Sequence, residues 1–194
     1  MEYFVYCRDR PGTGGLREQL VEAHWSYMDG YSERMVARGP TLAEDGETAT
    51  GSMHIVDLPD AEAARAFAFE EPNYAAGVYD EVTIRRWHNA LGRTMWEFAG
   101  GAEGGPRFLV IGHRGTETAT AADGLADFAD EHRDSLILCG PLLSDDGSEC
   151  IGAALAVEAP AREAVKALVA GDALAGTGLC ERAEIHRWQF GGRR

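Results

Sequence analysis

Proton transfer near neutral pH calls for an imidazole held away from bulk water with a carboxylate close by, and His24 fits the first half of that description. Leu16, Leu20, Tyr27, Met28, Tyr31 and Met35 recur at three- and four-residue steps, which predicts a helix from Leu16 to Ala37 with one apolar stripe. Arg17, Glu18, Glu22 and Glu33 fall off it. His24 lies on the stripe, one turn after Leu20 and one before Met28, so its ring points toward the core. Two acids are candidates to orient it: Asp29, five residues on and on an adjacent face, and Glu71, in the loop after the second predicted helix. Spacing alone selects neither. Ser52 and His54 are two apart in a predicted strand and share one face, so both could add polar groups to the site. The competing reading of His54 is a hairpin residue facing solvent. Tyr27, Tyr74 and Tyr79 could shape a cavity for a ring, although aromatics at such spacing also build cores. Arg8, at a strand end, could read an anionic group of a substrate or stand in water.

Other chemistries find no support in the spacing. The histidines His24, His54, His88, His113, His132 and His186 form no recognisable ligand pattern with each other or with Cys or carboxylates, so no metal is expected. Gly12-Thr13-Gly14-Gly15 follows a strand and precedes a helix but lacks the spacing of a dinucleotide fingerprint and the Lys-Ser/Thr of a phosphate loop. No cofactor is expected either. Cys7, Cys139, Cys150 and Cys180 contain no C-x-x-C pair and read as reduced thiols, mostly buried.

The elements that must position these residues occur twice. Gly39 to Trp87 aligns without a gap on Gly140 to Trp188, with matches where backbone geometry or packing demands them: Gly39-Pro40 with Gly140-Pro141, Asp45-Gly46 with Asp146-Gly147, Gly51 with Gly152, Arg86-Trp87 with Arg187-Trp188. In the first copy, Tyr3–Cys7 reads as a strand and Gly39-Pro40 ends the first helix. Leu42 begins a short strand, Asp45-Gly46 makes a hairpin turn, and Gly51–Leu58 returns. Asp60 then caps a second helix, and Val78–Trp87 is the last strand. The order is β-α-β-β-α-β, ferredoxin-like, repeated once. One face of each such sheet would be bare and apolar, so the expected α+β fold packs the two repeats together as an intrachain version of a dimeric α+β barrel. The domains expected are 1–88 with the site, a Gly-rich linker 89–106, and a degenerate second repeat 107–190. In that second repeat His24 falls on Leu125 or Phe128, so a single working site is expected, in the first.

Eighteen Lys and Arg against 32 Asp and Glu give a net charge of −14, which repels phosphate backbones and anionic membranes. With 45% apolar and 26% charged residues the composition is that of an ordinary globular protein. No nucleic acid or membrane partner is expected. There is no apolar run of membrane-spanning length and no basic start with a long apolar stretch, so the expected location is the cytoplasm. Either a monomer with internally paired repeats or a homodimer is compatible with these features.

Tyr3-Phe4-Val5-Tyr6, the helix-one histidine, Ala37-Arg38-Gly39-Pro40, Gly51-Ser52 and Glu71-Pro72-Asn73-Tyr74-Ala75-Ala76-Gly77-Val78-Tyr79 together resemble the YCII-related proteins. The likeness covers the first copy fully and the second in weakened form. It implies a ferredoxin-like α+β barrel with a histidine and an acid in a cleft, carried onto His24 and onto Asp29 or Glu71, where Glu71 stands in place of the family's usual aspartate. Members with assigned chemistry act as small lyases or dehydrochlorinases on ring-derived substrates. The expected function is therefore a cofactor-independent lyase or isomerase moving a proton through His24. The alternatives are a noncatalytic small-molecule-binding or accessory protein and a cofactor-independent oxygenase.

Overall fold

The computed structural model describes residues 1–100, 105–115 and 121–192. The chain forms two compact units, one of Met1–Arg85 joined by Gln189–Gly192, the other of Arg86–Trp188.

The first unit has strands β1 (Glu2–Asp9), β2 (Met35–Leu42), β3 (Ala49–Asp57) and β4 (from Tyr79, entering the second unit at Arg86), with helices α1 (Gly14–Gln19), α2 (Val21–Asp29), α3 (Ala61–Phe69) and α4 (Pro72–Ala75). The sheet order is β4-β1-β3-β2. β3 pairs antiparallel with β1 and with β2, so side chains two apart align in rows across the sheet. One row holds Val5, His54 and Arg38, the next Cys7, Ser52 and Pro40. Both lie on the face that carries Tyr3 and Val56, which pack with Met28, Ala64 and Phe67 of the helices into one core. The strand periodicity thus delivers a serine, a histidine and an arginine to the helix side. Gly51 is the third residue of β3, and nothing larger fits there: an added Cβ would stand 2.5 Å from the Cys7 carbonyl oxygen and 2.9 Å from Thr41 Oγ1. The hairpin between β2 and β3 turns at Gly46, φ +75°, while Asp45 Oδ1 accepts from the Glu47 and Thr48 amides, each at 2.9 Å.

The first helix is shorter than its apolar spacing suggests. The segment expected as one helix to Ala37 is α1, α2 and a 3-10 turn (Ser32–Arg34), after which Met35 enters β2. Gly30 follows α2, and Met35, Val36 and Ala37 are buried beside β3, so sheet pairing overrides a helical periodicity that Tyr31 and Met35 happen to continue. Gly39-Pro40 accordingly sits inside a strand and ends no helix. The second helix starts as expected: Asp60 Oδ1 accepts from the Ala63 amide at 2.9 Å.

The second unit repeats the order with β5 (Arg107–His113), α5 (Ala121–Glu131), β6 (Leu136–Leu143), β7 (Cys150–Glu158), α6 (Arg162–Ala170), α7 (Asp172–Ala175) and β8 (Arg182–Trp188), its sheet running β8-β5-β7-β6. Its core includes Phe108, Val110, Leu125, Phe128, Leu155 and Val165. The segment before it carries a 3-10 turn at Met95–Glu97, with Leu91 and Met95 buried; part of the expected linker, residues 101–104, lies outside the described residues. Among the described residues no helix is long and apolar enough to cross a membrane. All four cysteines are free thiols.

Candidate functional site

His24 is carried by α2 and turned toward the sheet by the same spacing that buries Met28 one turn later. Its Nδ1 lies 2.9 Å from Glu71 Oε2. Glu71 is buried, and its second oxygen, Oε1, accepts the Tyr74 amide at 2.9 Å as the N-cap of α4, with Pro72 at the first helical position. The cap fixes one carboxylate oxygen and thereby aims the other. An ionised carboxylate only accepts, so it is the proton on Nδ1 that meets Glu71. The imidazole is 12% exposed and forms part of the wall of a cavity of about 290 Å³, a size suited to a small molecule.

Below the histidine the cavity is polar. The Ser52 hydroxyl accepts from Arg17 Nη2 at 2.7 Å and from the Tyr79 hydroxyl at 3.2 Å, so its own proton remains to be donated. Arg17 Nη1 also pairs with Asp9 Oδ1 at 2.9 Å; burial raises the Asp9 carboxyl pKa, against the pull of that guanidinium. Asn73 Nδ2 donates to the Tyr79 hydroxyl at 3.1 Å. Asn73 Oδ1 and His54 Nδ1 are buried without a protein partner and belong to cavity-lining residues. An unsatisfied buried polar atom costs about 1–3 kcal/mol.

His54 faces the core and not solvent, against the hairpin alternative, and its ring centroid is 5.7 Å from that of His24. Burial, then the neighbouring His24, Arg17 and Arg38, push its pKa well below the usual histidine range, so it stays neutral. The unfolded chain then binds more protons than the folded one below the free histidine value, and stability falls as pH falls. Between about pH 6.5 and the depressed folded value the loss from this group is about 1.4 kcal/mol per pH unit. Urea titrations at pH 7, 6 and 5 should show a steeper acid slope for the parent than for His54→Gln; parallel slopes would contradict this account.

The remaining candidates separate. Asp29 Oδ1 contacts Arg38 Nη1 at 3.1 Å, so the carboxylate at His24 Nδ1 is that of Glu71. Tyr79 stands behind Ser52, where burial raises its hydroxyl pKa. Tyr27 points its hydroxyl at the Ala66 and Phe67 carbonyls, 3.4 and 3.3 Å away, as a core residue. Tyr74 is 39% exposed and packs on Phe69. Arg8 pairs at the surface with Glu81 at 3.1 Å. Tyr27, Tyr74 and Arg8 do not line the cavity; its large aromatic walls are Trp25 and Phe190. Arg17, Asn73 and Phe190 escape the sequence reading. Arg17, expected off the apolar stripe, instead reaches the cavity; it precedes His24 by seven residues, two helical turns, and so shares its side.

The second repeat replaces four of these groups with apolar residues or cysteine. At the aligned positions Arg38, Ser52, His54 and Asn73 become Cys139, Ala153, Leu155 and Leu174, all buried. Leu125 and Phe128, the two residues that align with His24, are also buried in that core. The side chain of Asp172, aligned with Glu71, lies outside the described residues.

A family model, the YCII-related domain, matches residues 1–88 and again 108–189. Protein YciI of Escherichia coli is 30% identical over 92 residues, covering 44% of this chain and 94% of that protein. A 5-chloro-2-hydroxyhydroquinone dehydrochlorinase from Burkholderia phenoliruptrix is 26% identical, with a TM-score of 0.43, over 45% of this chain and 94% of its own. A chlorite dismutase from Candidatus Nitrospira defluvii aligns with 97% of this chain and 91% of its own at 12% identity, TM-score 0.57. That likeness runs over both repeats and shows the fold class alone, α+β with ferredoxin-like repeats.

Proposed function

The chain belongs to the YCII-related family through both of its repeats, and on that premise we propose that its first repeat is a small-molecule lyase or isomerase in which His24 moves a proton on a ring-derived substrate. The observation that carries this reading is the 2.9 Å contact between His24 Nδ1 and the capped Glu71, on the wall of a cavity sized for one small ring compound. With Nδ1 donating to the carboxylate, Nε2 takes a proton from a ring carbon, and Glu71 stabilises the imidazolium that forms. The electron pair left on the substrate moves onto a neighbouring oxygen, to which Ser52 donates its free hydroxyl proton as a hydrogen bond, backed by Arg17. In an isomerisation His24 returns the proton to another atom of the ring. In an elimination the pair instead expels a leaving group from the adjacent carbon, and the proton passes to solvent. Neutral His54 serves as a hydrogen-bonding wall, since its depressed pKa keeps it from being a cationic acid.

The test begins with a panel of phenolic and carboxylated ring compounds screened by thermal shift, because any ligand of the folded state raises the melting temperature. A hit is then incubated in deuterium oxide and followed by NMR for exchange or turnover. His24→Ala should keep the thermal shift while exchange and turnover fall by about 10²–10⁴-fold. Binding without any turnover in the parent would make the protein a binding module, and a panel with no hits would remove the substrate class.

A further inference from the structure

One wall of the cavity comes from residues that follow the second repeat. Gln189–Gly192 follow the last strand of the second repeat in sequence yet belong to the first unit, where they lie along β2. The Gln189 amide donates to the Pro40 carbonyl at 3.3 Å and the Gly191 amide to the Arg38 carbonyl at 3.0 Å. Two donors two residues apart meet two acceptors two residues apart in reverse order, which is antiparallel strand addition. The fit depends on two glycines. A Cβ on Gly191 would stand 2.7 Å from Gly39 Cα and 3.1 Å from Pro40 Cδ. Gly192 has φ +85°, and a Cβ there would collide with the Arg38 guanidinium. Gly39 and Arg38 are themselves cavity residues, so the tail is seated directly on the pocket.

We propose that Gln189–Gly192 form the specificity wall of the first repeat's pocket and that Phe190, held between the two backbone hydrogen bonds, decides which ligands fit it. The substrate-selecting part of this inference rests on the proposed function; the placement of the wall does not. A proton-transfer site needs its substrate held in one plane relative to Nε2, and an aromatic side chain is the wall that does so for a ring. The pocket is thereby built from the first repeat and from the segment that follows the second.

The experiment uses the full chain with Phe190→Ala, Phe190→Leu and Gly191→Val, each checked for a cooperative thermal transition. Diethyl pyrocarbonate modification is followed by peptide mass at His24, with His132 as internal reference, and 4-nitrophenol is titrated as the binding probe. Phe190→Ala should speed modification of His24 several-fold relative to His132 and weaken 4-nitrophenol binding about tenfold or more. Phe190→Leu should fall between, and Gly191→Val should match Phe190→Ala by displacing the tail. If Gly191→Val does not fold, the two Phe190 variants decide. An unchanged His24 rate overturns the wall whatever the probe does. A faster rate with unchanged affinity overturns the selecting role of Phe190. A faster rate in a protein whose parent form does not bind 4-nitrophenol upholds the wall and counts against the substrate class.

Discussion

Glu71→Gln is expected to leave the fold standing while turnover at His24 falls by about 10²–10⁴-fold. Glutamine fills the same volume, and its carbonyl can still accept the Tyr74 amide that Glu71 Oε1 accepts now. Its amino group then faces His24 Nδ1 and can only donate, so Nδ1 must become the acceptor and the ring proton moves to Nε2. A neutral imidazole with its proton on Nε2 has no lone pair there to take another. The opposite orientation of the amide would set two donors face to face at the Tyr74 N–H and forfeit the cap, worth about 1 kcal/mol. Nitrogen-15 NMR of the His24 ring reads the result without any substrate: the proton should reside on Nδ1 in the parent and on Nε2 in the variant. A variant with the parental tautomer and the parental turnover would show that Glu71 does not orient this ring.

Phe67→Ala should cost about 3–5 kcal/mol of folding stability, the largest loss expected from any single truncation around the site. Phe67 projects from α3 and is 1% exposed. Its ring meets Tyr31 edge-on at 4.9 Å and His54 edge-on at 5.6 Å, and lies 6.2 Å from Tyr27. The neighbours that share its helical face, Ala64 and Ala68, are too short to fill the space it would vacate. Urea midpoints at constant m-value give the number, and Phe67→Leu should recover part of it. A loss below about 1 kcal/mol would mean that the surrounding rings collapse into the gap and that Phe67 does not set their positions.

The sequence is most legible where local chemistry and long-range packing agree. Asp60 starts α3 and Asp45-Gly46 turns the hairpin because a side-chain oxygen or a positive φ is needed within a few residues, and both needs show in the residue types. His24 can be placed on the inner face because Leu20 and Met28 flank it at helical spacing. What cannot be read is anything decided by contacts between distant segments. Asp29 and Glu71 are equal candidates on spacing, and only the packing of α4 beside α2 brings Glu71 to the ring. Tyr31 and Met35 prolong a helical pattern that pairing with β3 cancels. His54 looks like an exposed hairpin residue until Phe67 and His24 cover it. Phe190 has no signal at all, because the residues that fix its segment, Arg38 and Pro40, lie in another part of the chain.

Gly51 and Gly152 stand at equivalent places in the two repeats, and in each an added carbon would collide with the backbone of the neighbouring strand. Beside that retained glycine, Ser52 and His54 of the first repeat align with Ala153 and Leu155 of the second. The molecule therefore carries its own blank: one polypeptide holds the scaffold with Ser52 and His54 and the same scaffold with alanine and leucine in their places. Signals from the two halves share every tube, buffer and temperature, so whatever a ligand does to the first and not to the second belongs to the side chains that differ and not to the framework.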